Sequence, residues 1–139
     1  MPAMSVFPFP VVVARAGING ARTYAVSPED VTVVVQEMPD EGLTVLLPGA
    51  SSPVPPSDGD FYITADPHGL ITVDDSLTVD GNGFPILGIA TLVLTDPFSW
   101  AAFQFDAQSK LWIAFIGRLP PKQLELVRRR RLLGFEPRA

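Results

Sequence analysis

The chain has no cysteine and a single histidine, His68. Disulfides, cysteine-built zinc sites and thiol catalysis are thereby excluded, and a hydrolytic triad would have to be assembled on that one imidazole. Charge is scarce as well. Only 18% of the residues are Asp, Glu, Lys or Arg, against ~25% in an average soluble domain. The apolar run Val6–Ala14 is broken by Pro8 and Pro10 and falls far short of the ~20 residues a membrane-spanning helix needs. No basic segment precedes it, so neither a membrane anchor nor an export signal is expected.

What is present points to strands. Hydrophobic residues make up 47% of the 139 residues, and there are 15 prolines. A chain of this length forms one domain with a core of its own. So much apolar surface with so little charge suggests that part of it is hidden against other subunits. The charge is also divided unevenly. Residues 1–117 carry three basic and thirteen acidic side chains, and residues 118–139 carry seven basic and two acidic ones. An acidic body with a basic attachment tail is the organisation this implies.

Residues 1–21 are apolar and contain proline, which cannot donate to a sheet ladder, so they read as an N-terminal arm or edge strand. The runs Val31–Gln36 and Leu43–Leu47, with a turn at Met38–Gly42 between them, predict a hairpin. Ser51–Gly59 is a proline-rich loop. Asp60–Asp66 alternates as a half-buried strand does. A turn follows at Asp66–Gly69, and Leu70–Asp75 reads as the next strand. Leu77–Leu94 reads as strand, tight turn and strand about Asp80, Gly81, Asn82 and Gly83, since Asn and Gly tolerate the positive φ that hairpin turns require. Two last strands flank a turn at Asp106–Lys110. Together these predict an all-β fold over residues 22–117, an antiparallel sandwich or barrel of about eight short strands. Residues 118–139 form the basic tail, with a short helix over about Lys122–Leu133. Proline stands at its start, glycine past its end, and its arginines lie where the helix dipole favours cations.

Few residues invite a chemical role. Asp58, Asp60, Asp66, His68, Asp74 and Asp75 are the densest group of polar ligand types. A divalent cation would use several such carboxylates, but the spacing does not fit an EF-hand loop, and aspartates in turn strings bond to nearby backbone amides. No Gly-x-Ser-x-Gly elbow accompanies His68, which reads as an exposed turn residue. Carboxylate pairs among Asp74, Asp75, Asp80 and Asp96 come with no aromatic-walled groove for a sugar. Gly81, Gly83 and Gly88 match no nucleotide loop. No catalytic residue, metal or cofactor is therefore expected.

Two groups suggest interaction instead. Arg128, Arg129, Arg130 and Arg131 suit docking on an acidic protein surface, with a solvated helix face and nucleic-acid contact as alternatives. The acidic body argues against the last. Phe103, Phe105, Trp112 and Phe115 crowd the final strands as core or subunit-interface residues. A glycan-binding reading would need Trp100 or Trp112 exposed in a groove.

The order of "DGDFYI", "ITV", "LTVDGNGFPILG", "ATLVL" and "AAFQFDAQSKLWIA" resembles the small β-rich modules of bacteriophage tail fibres, head fibres and capsid decoration proteins, over about Tyr24–Gly117. The resemblance implies a homotrimer about a threefold axis and a structural role without catalysis. Its partners would be further copies and other virion proteins such as the major capsid protein. Its location would be the virion, assembled in the host cytoplasm. Fibre modules usually sit inside long chains, whereas this one fills most of the sequence, so a capsid decoration or head-fibre subunit is the expectation. The alternatives are a tail-fibre or adhesin module that binds host surface glycan, and an assembly connector whose terminal arm adds as a strand to a neighbour.

Overall fold

The computed structural model describes residues 13–119, and within them the chain is almost entirely strand, turn and loop. The strands are β1 (Val13–Ala16), β2 (Thr23–Ala25), β3 (Thr32–Val35), β4 (Leu43–Leu46), β5 (Phe61–Ala65), β6 (Leu77–Asp80), β7 (Thr91–Leu94), β8 (Ser99–Asp106) and β9 (Leu111–Arg118). A single 3-10 turn, Ile18–Gly20, lies between β1 and β2. The expected helix over Lys122–Leu133, the four arginines and most of the N-terminal arm lie outside the described residues.

Two sheets face one another. One has five strands in the order β1-β3-β5-β8-β9, and the other four in the order β2-β4-β6-β7. From β1 to β6 the chain changes sheet at every strand. Each strand therefore lies beside the strand two places earlier and runs parallel to it: β1 with β3, β3 with β5, β2 with β4, and β4 with β6. A parallel pair needs a crossover connection, and here the crossover is a strand of the opposite sheet. Only the last turns of the chain reverse direction, giving the antiparallel pairs β6 with β7, β5 with β8, and β8 with β9.

The all-β expectation therefore holds, while the antiparallel one is corrected: both sheets are mixed, and neither closes into a barrel. The hairpin expected from Val31–Gln36 and Leu43–Leu47 does not form, because β3 and β4 belong to different sheets. Leu70–Asp75 contains no strand. The Thr72 amide donates to the Asp75 carbonyl and the Asp75 amide to the Thr72 Oγ1, so the run closes on itself. Around Asp80–Gly83 the turn is real. Asn82 and Gly83 both have positive φ (56° and 99°), and the Phe84 amide donates to the Gly81 carbonyl. It does not join β6 directly to β7, however. Residues 81–90 make a longer excursion in which Ile86 pairs with Ile89 and also runs parallel beside Trp112. Val13–Ala16, placed by its sequence in the arm, is the outer strand of the five-stranded sheet.

The core lies between the sheets. Val33, Val35, Phe103, Phe105 and Trp112 come from one side and Leu43, Val45, Leu77 and Val79 from the other, all buried. Their i, i+2 spacing is the strand period of two, which sends alternate side chains to one face. Trp112 packs against Phe105 (ring centroids 5.1 Å) and Tyr62 (5.9 Å), and Phe84 closes on Phe105 at 4.9 Å.

Candidate functional site

The aspartates that invited a metal or acid–base reading are engaged by the backbone. Asp66 is fully buried, and its carboxylate accepts the amides of Leu70 (2.9 Å), Ile71 (2.9 Å) and Phe98 (3.2 Å). It thus ties the turn after β5 to the entry of β8. Asp60 accepts the Ser57 amide, Asp58 the Ala107 amide, and Asp75 the Glu41 amide. Asp80 and Asp106 each accept the amide two residues on, from Asn82 and Gln108. Such Asx bonds mimic a backbone turn and hold loops without further secondary structure. His68 is exposed in its turn. Among the described residues no three His, Asp or Glu side chains gather as metal ligands.

Asp30 has a second partner. Its carboxylate accepts both the Ser27 amide (3.0 Å) and the phenol of Tyr24 (2.6 Å). Partial burial and the adjacent Asp30 charge push the Tyr24 pKa up to about 12. Burial, followed by the Asp60 charge, raises that of Tyr62.

The candidate aromatics separate by face. Phe103, Phe105 and Trp112 are core residues, while Phe115, on the opposite face of β9, is 52% exposed. The β9 pairing explains the difference: Ala102 stands opposite Phe115, and the outer row of β9 runs Leu111, Ile113, Phe115. Trp100, on the same outer face of β8, stands opposite Gly117 and donates its Nε1–H to the Arg118 carbonyl at 3.2 Å.

What the sequence did not reveal is the edge that β9 presents. The Trp112 amide donates to the Pro85 carbonyl, and the Trp112 carbonyl accepts the Leu87 amide. The Leu119 amide, by contrast, donates to Phe98, beside β8. Alternation along the strand therefore points the main-chain groups of Trp112, Ala114, Ile116 and Arg118 away from β8. The excursion of residues 81–90 pairs with this edge at Trp112, and the Trp100 indole covers the Arg118 carbonyl. Between them, the N–H and C=O of Ala114 and Ile116 have no partner among the described residues.

Apolar surface borders this window. Ile116 is 57% exposed and Val93, on the edge strand of the other sheet, 50%. Between them runs a cleft of about 400 Å³, lined also by Leu94, Thr95, Ser99 and Gly117, with Asp96 and Arg118 contributing its charged groups. The Arg118 guanidinium donates to the Pro97 carbonyl at 3.3 Å. The arrangement has the components of strand addition, with open main-chain donors and acceptors beside an apolar cleft.

No protein-family model matches the chain, and no curated protein matches its sequence.

Proposed function

We propose that the protein is a non-enzymatic structural subunit of a bacteriophage virion. It assembles as a homotrimer and is fixed to the particle as a capsid decoration or head-fibre subunit. The observation that carries this reading is the apolar margin where the two sheets end together, with Val93 and Ile116 exposed beside an unpaired stretch of β9 and Phe115 exposed on the outer face of that strand. Exposed edges of this kind are usually blunted in monomers, and a subunit that buries them against another chain has a use for them. The order of strands and turns that resembles phage fibre and decoration modules supports the virion assignment. The engagement of Asp58, Asp60, Asp66, Asp75, Asp80 and Asp106 by backbone amides supports a structural use of the loops rather than turnover. The basic tail, with Arg128–Arg131, serves as the contact to an acidic surface of the shell.

Cosedimentation with phage capsids tests the assignment. Arg128, Arg129, Arg130 and Arg131 replaced together by Glu should abolish attachment without changing the oligomer measured by light scattering. A tail deletion is best begun at Pro120, because Leu119 is buried and its amide holds Phe98. Binding by neither the parent protein nor the variant would refute the particle role.

A further inference from the structure

The unpaired window on β9 is bounded at both ends, by Pro85 and Leu87 at Trp112 and by the Trp100 indole at Arg118. Its open donors and acceptors have the pattern that an added short strand would pair with. We propose that this strand is the N-terminal segment of a second copy of the chain, with Phe7 and Phe9 pairing to Ala114 and Ile116 and an aromatic side chain covering the apolar margin beside Ile116. The proposal rests on the assembling-subunit reading and names the contact through which the copies associate.

The segment fits the window by its chemistry. Residues 1–12, MPAMSVFPFPVV, carry no charged side chain. In an extended chain, residues two apart direct their main-chain groups to the same edge. Phe7, Phe9 and Val11 therefore share one edge and keep their N–H donors, while Pro8 and Pro10 share the other edge and have none. Such a segment pairs with one neighbour and offers no donors at these prolines for a further strand. The added strand thus ends the sheet instead of propagating it.

The occupant is a second copy because Phe7 and Phe9 of the same chain do not reach the window. β1, where the segment enters the fold, is the opposite outer strand of the five-stranded sheet. A strand added beyond β9 stands five strand spacings away, about 24 Å at ~4.8 Å each. From Val13 back to Phe9 there are four residue steps and back to Phe7 six, which span at most about 14 Å and about 22 Å when fully extended. Passing the segment from each copy to the next is a heterologous contact, and such a contact closes into a ring when the rotation permits, three copies included.

The experiment uses the full chain. Its mass in solution is measured by light scattering against the 15.0 kDa of one chain, and amide exchange is followed at Ala114 and Ile116. The expected result is an oligomer in which both amides exchange slowly. Phe9→Pro, which removes one donor without touching residues 13–119, should convert it to single chains and speed exchange at Ala114 and Ile116 by about tenfold or more, while Phe115 and Gly117, bonded to β8, stay slow. Ile116→Pro removes the matching donor from the window, on the side away from β8, and should have the same effect on mass. An oligomer that survives Phe9→Pro, or one in which Ala114 and Ile116 exchange fast, overturns the arm contact and leaves the assembling subunit standing. A single chain with both amides slow overturns the second-copy occupant and assigns the window to another segment of the same chain. A single chain with both amides fast overturns both readings.

Discussion

Gly49 lies directly against Asn82: a β-carbon on Gly49 would overlap the Asn82 carbonyl oxygen and crowd its side chain. The contact joins the end of β4 to the turn after β6. Asn82 fastens it from the other side. Its side-chain amide donates to the Leu47 carbonyl at 3.1 Å, and its own carbonyl accepts the Ala50 amide at 3.2 Å. The two parallel strands therefore remain in register past their last ladder pair, Leu46 with Asp80.

Gly49→Ala should accordingly destabilise the fold, because the clash is with backbone and something must shift; overpacking of this kind costs ~1–3 kcal/mol. Asn82→Gly keeps the positive φ and loses only the side-chain bonds, for about 1 kcal/mol. Urea unfolding midpoints should rank parent, Asn82→Gly, Gly49→Ala. The reverse order would show that the side chain of Asn82, and not the close approach, sets the register.

A larger loss is expected at Asp66. Asp66→Ala leaves the amides of Leu70, Ile71 and Phe98 without their acceptor, and each buried unpaired group costs ~1–3 kcal/mol. A loss of about 3 kcal/mol or more is a large part of the 5–15 kcal/mol that ordinarily holds a domain together. Asp66→Asn retains one carbonyl acceptor and should fall between. Chemical denaturation of both variants measures the series. Parity of Asp66→Ala with the parent would show that solvent serves these amides.

These two sites also show what the sequence could reveal. Aspartates in the strings SDGD and DPHG were readable as turn chemistry through their local bonds, Asp60 to the Ser57 amide and Asp66 to the Leu70 amide, whereas the bonds of Asp58 to Ala107 and of Asp66 to Phe98 reach across the fold and were not. The strand Phe61–Ala65 was likewise legible from alternation, and the Asp106–Lys110 turn between β8 and β9 from its turn residues and the apolar runs beside it. Sheet membership was not. Val33 and Val35 alternate in the same way whether β3 pairs with β4 or with β1 and β5, because the period of two records a buried face and not the neighbour. Leu70–Asp75 misled for a related reason. Its apolar positions Leu70, Ile71 and Val73 suit a strand, yet Thr72 and Asp75 satisfy one another and leave Val73 78% exposed. The open window on β9 depends on Trp100 and on residues 85–87, remote in sequence, and no local pattern encodes it.

Trp112 offers a different test, because it is fully buried and its indole N–H has no hydrogen-bond partner among the described residues. Trp112→Ala should cost ~3–5 kcal/mol through the cavity it opens between Phe105 and Tyr62. Trp112→Phe removes the unpaired donor along with part of the volume, and these effects oppose one another, so its net cost should stay below ~2 kcal/mol. Trp100 then remains the sole fluorophore of its type, and thermal unfolding followed by its emission gives both values. A cost for Trp112→Phe close to that of Trp112→Ala would mean that shape alone governs the site.

At high pH the Tyr24–Asp30 pair contributes to the response. The Tyr24 pKa is raised from 10.0 to about 12 in the folded protein, chiefly by burial and then by its bond to the Asp30 carboxylate. Ionisation would place a phenolate beside that carboxylate and remove the donated proton. In the unfolded chain tyrosine ionises near pH ~10. Between that value and about 12 the folded state consequently holds more protons than the unfolded one, and stability falls as pH rises. The contribution is complete below pH 10 and is lost as pH passes through 12. Tyr62 is raised as well, by burial and by Asp60, so the parent protein should lose stability through both groups. Tyr24→Phe deletes one of them, and the difference in unfolding free energy between parent and variant should narrow steadily from pH 10 to 12. A difference that stays constant across that interval would show that Tyr24 ionises in the folded protein as it does in the unfolded chain.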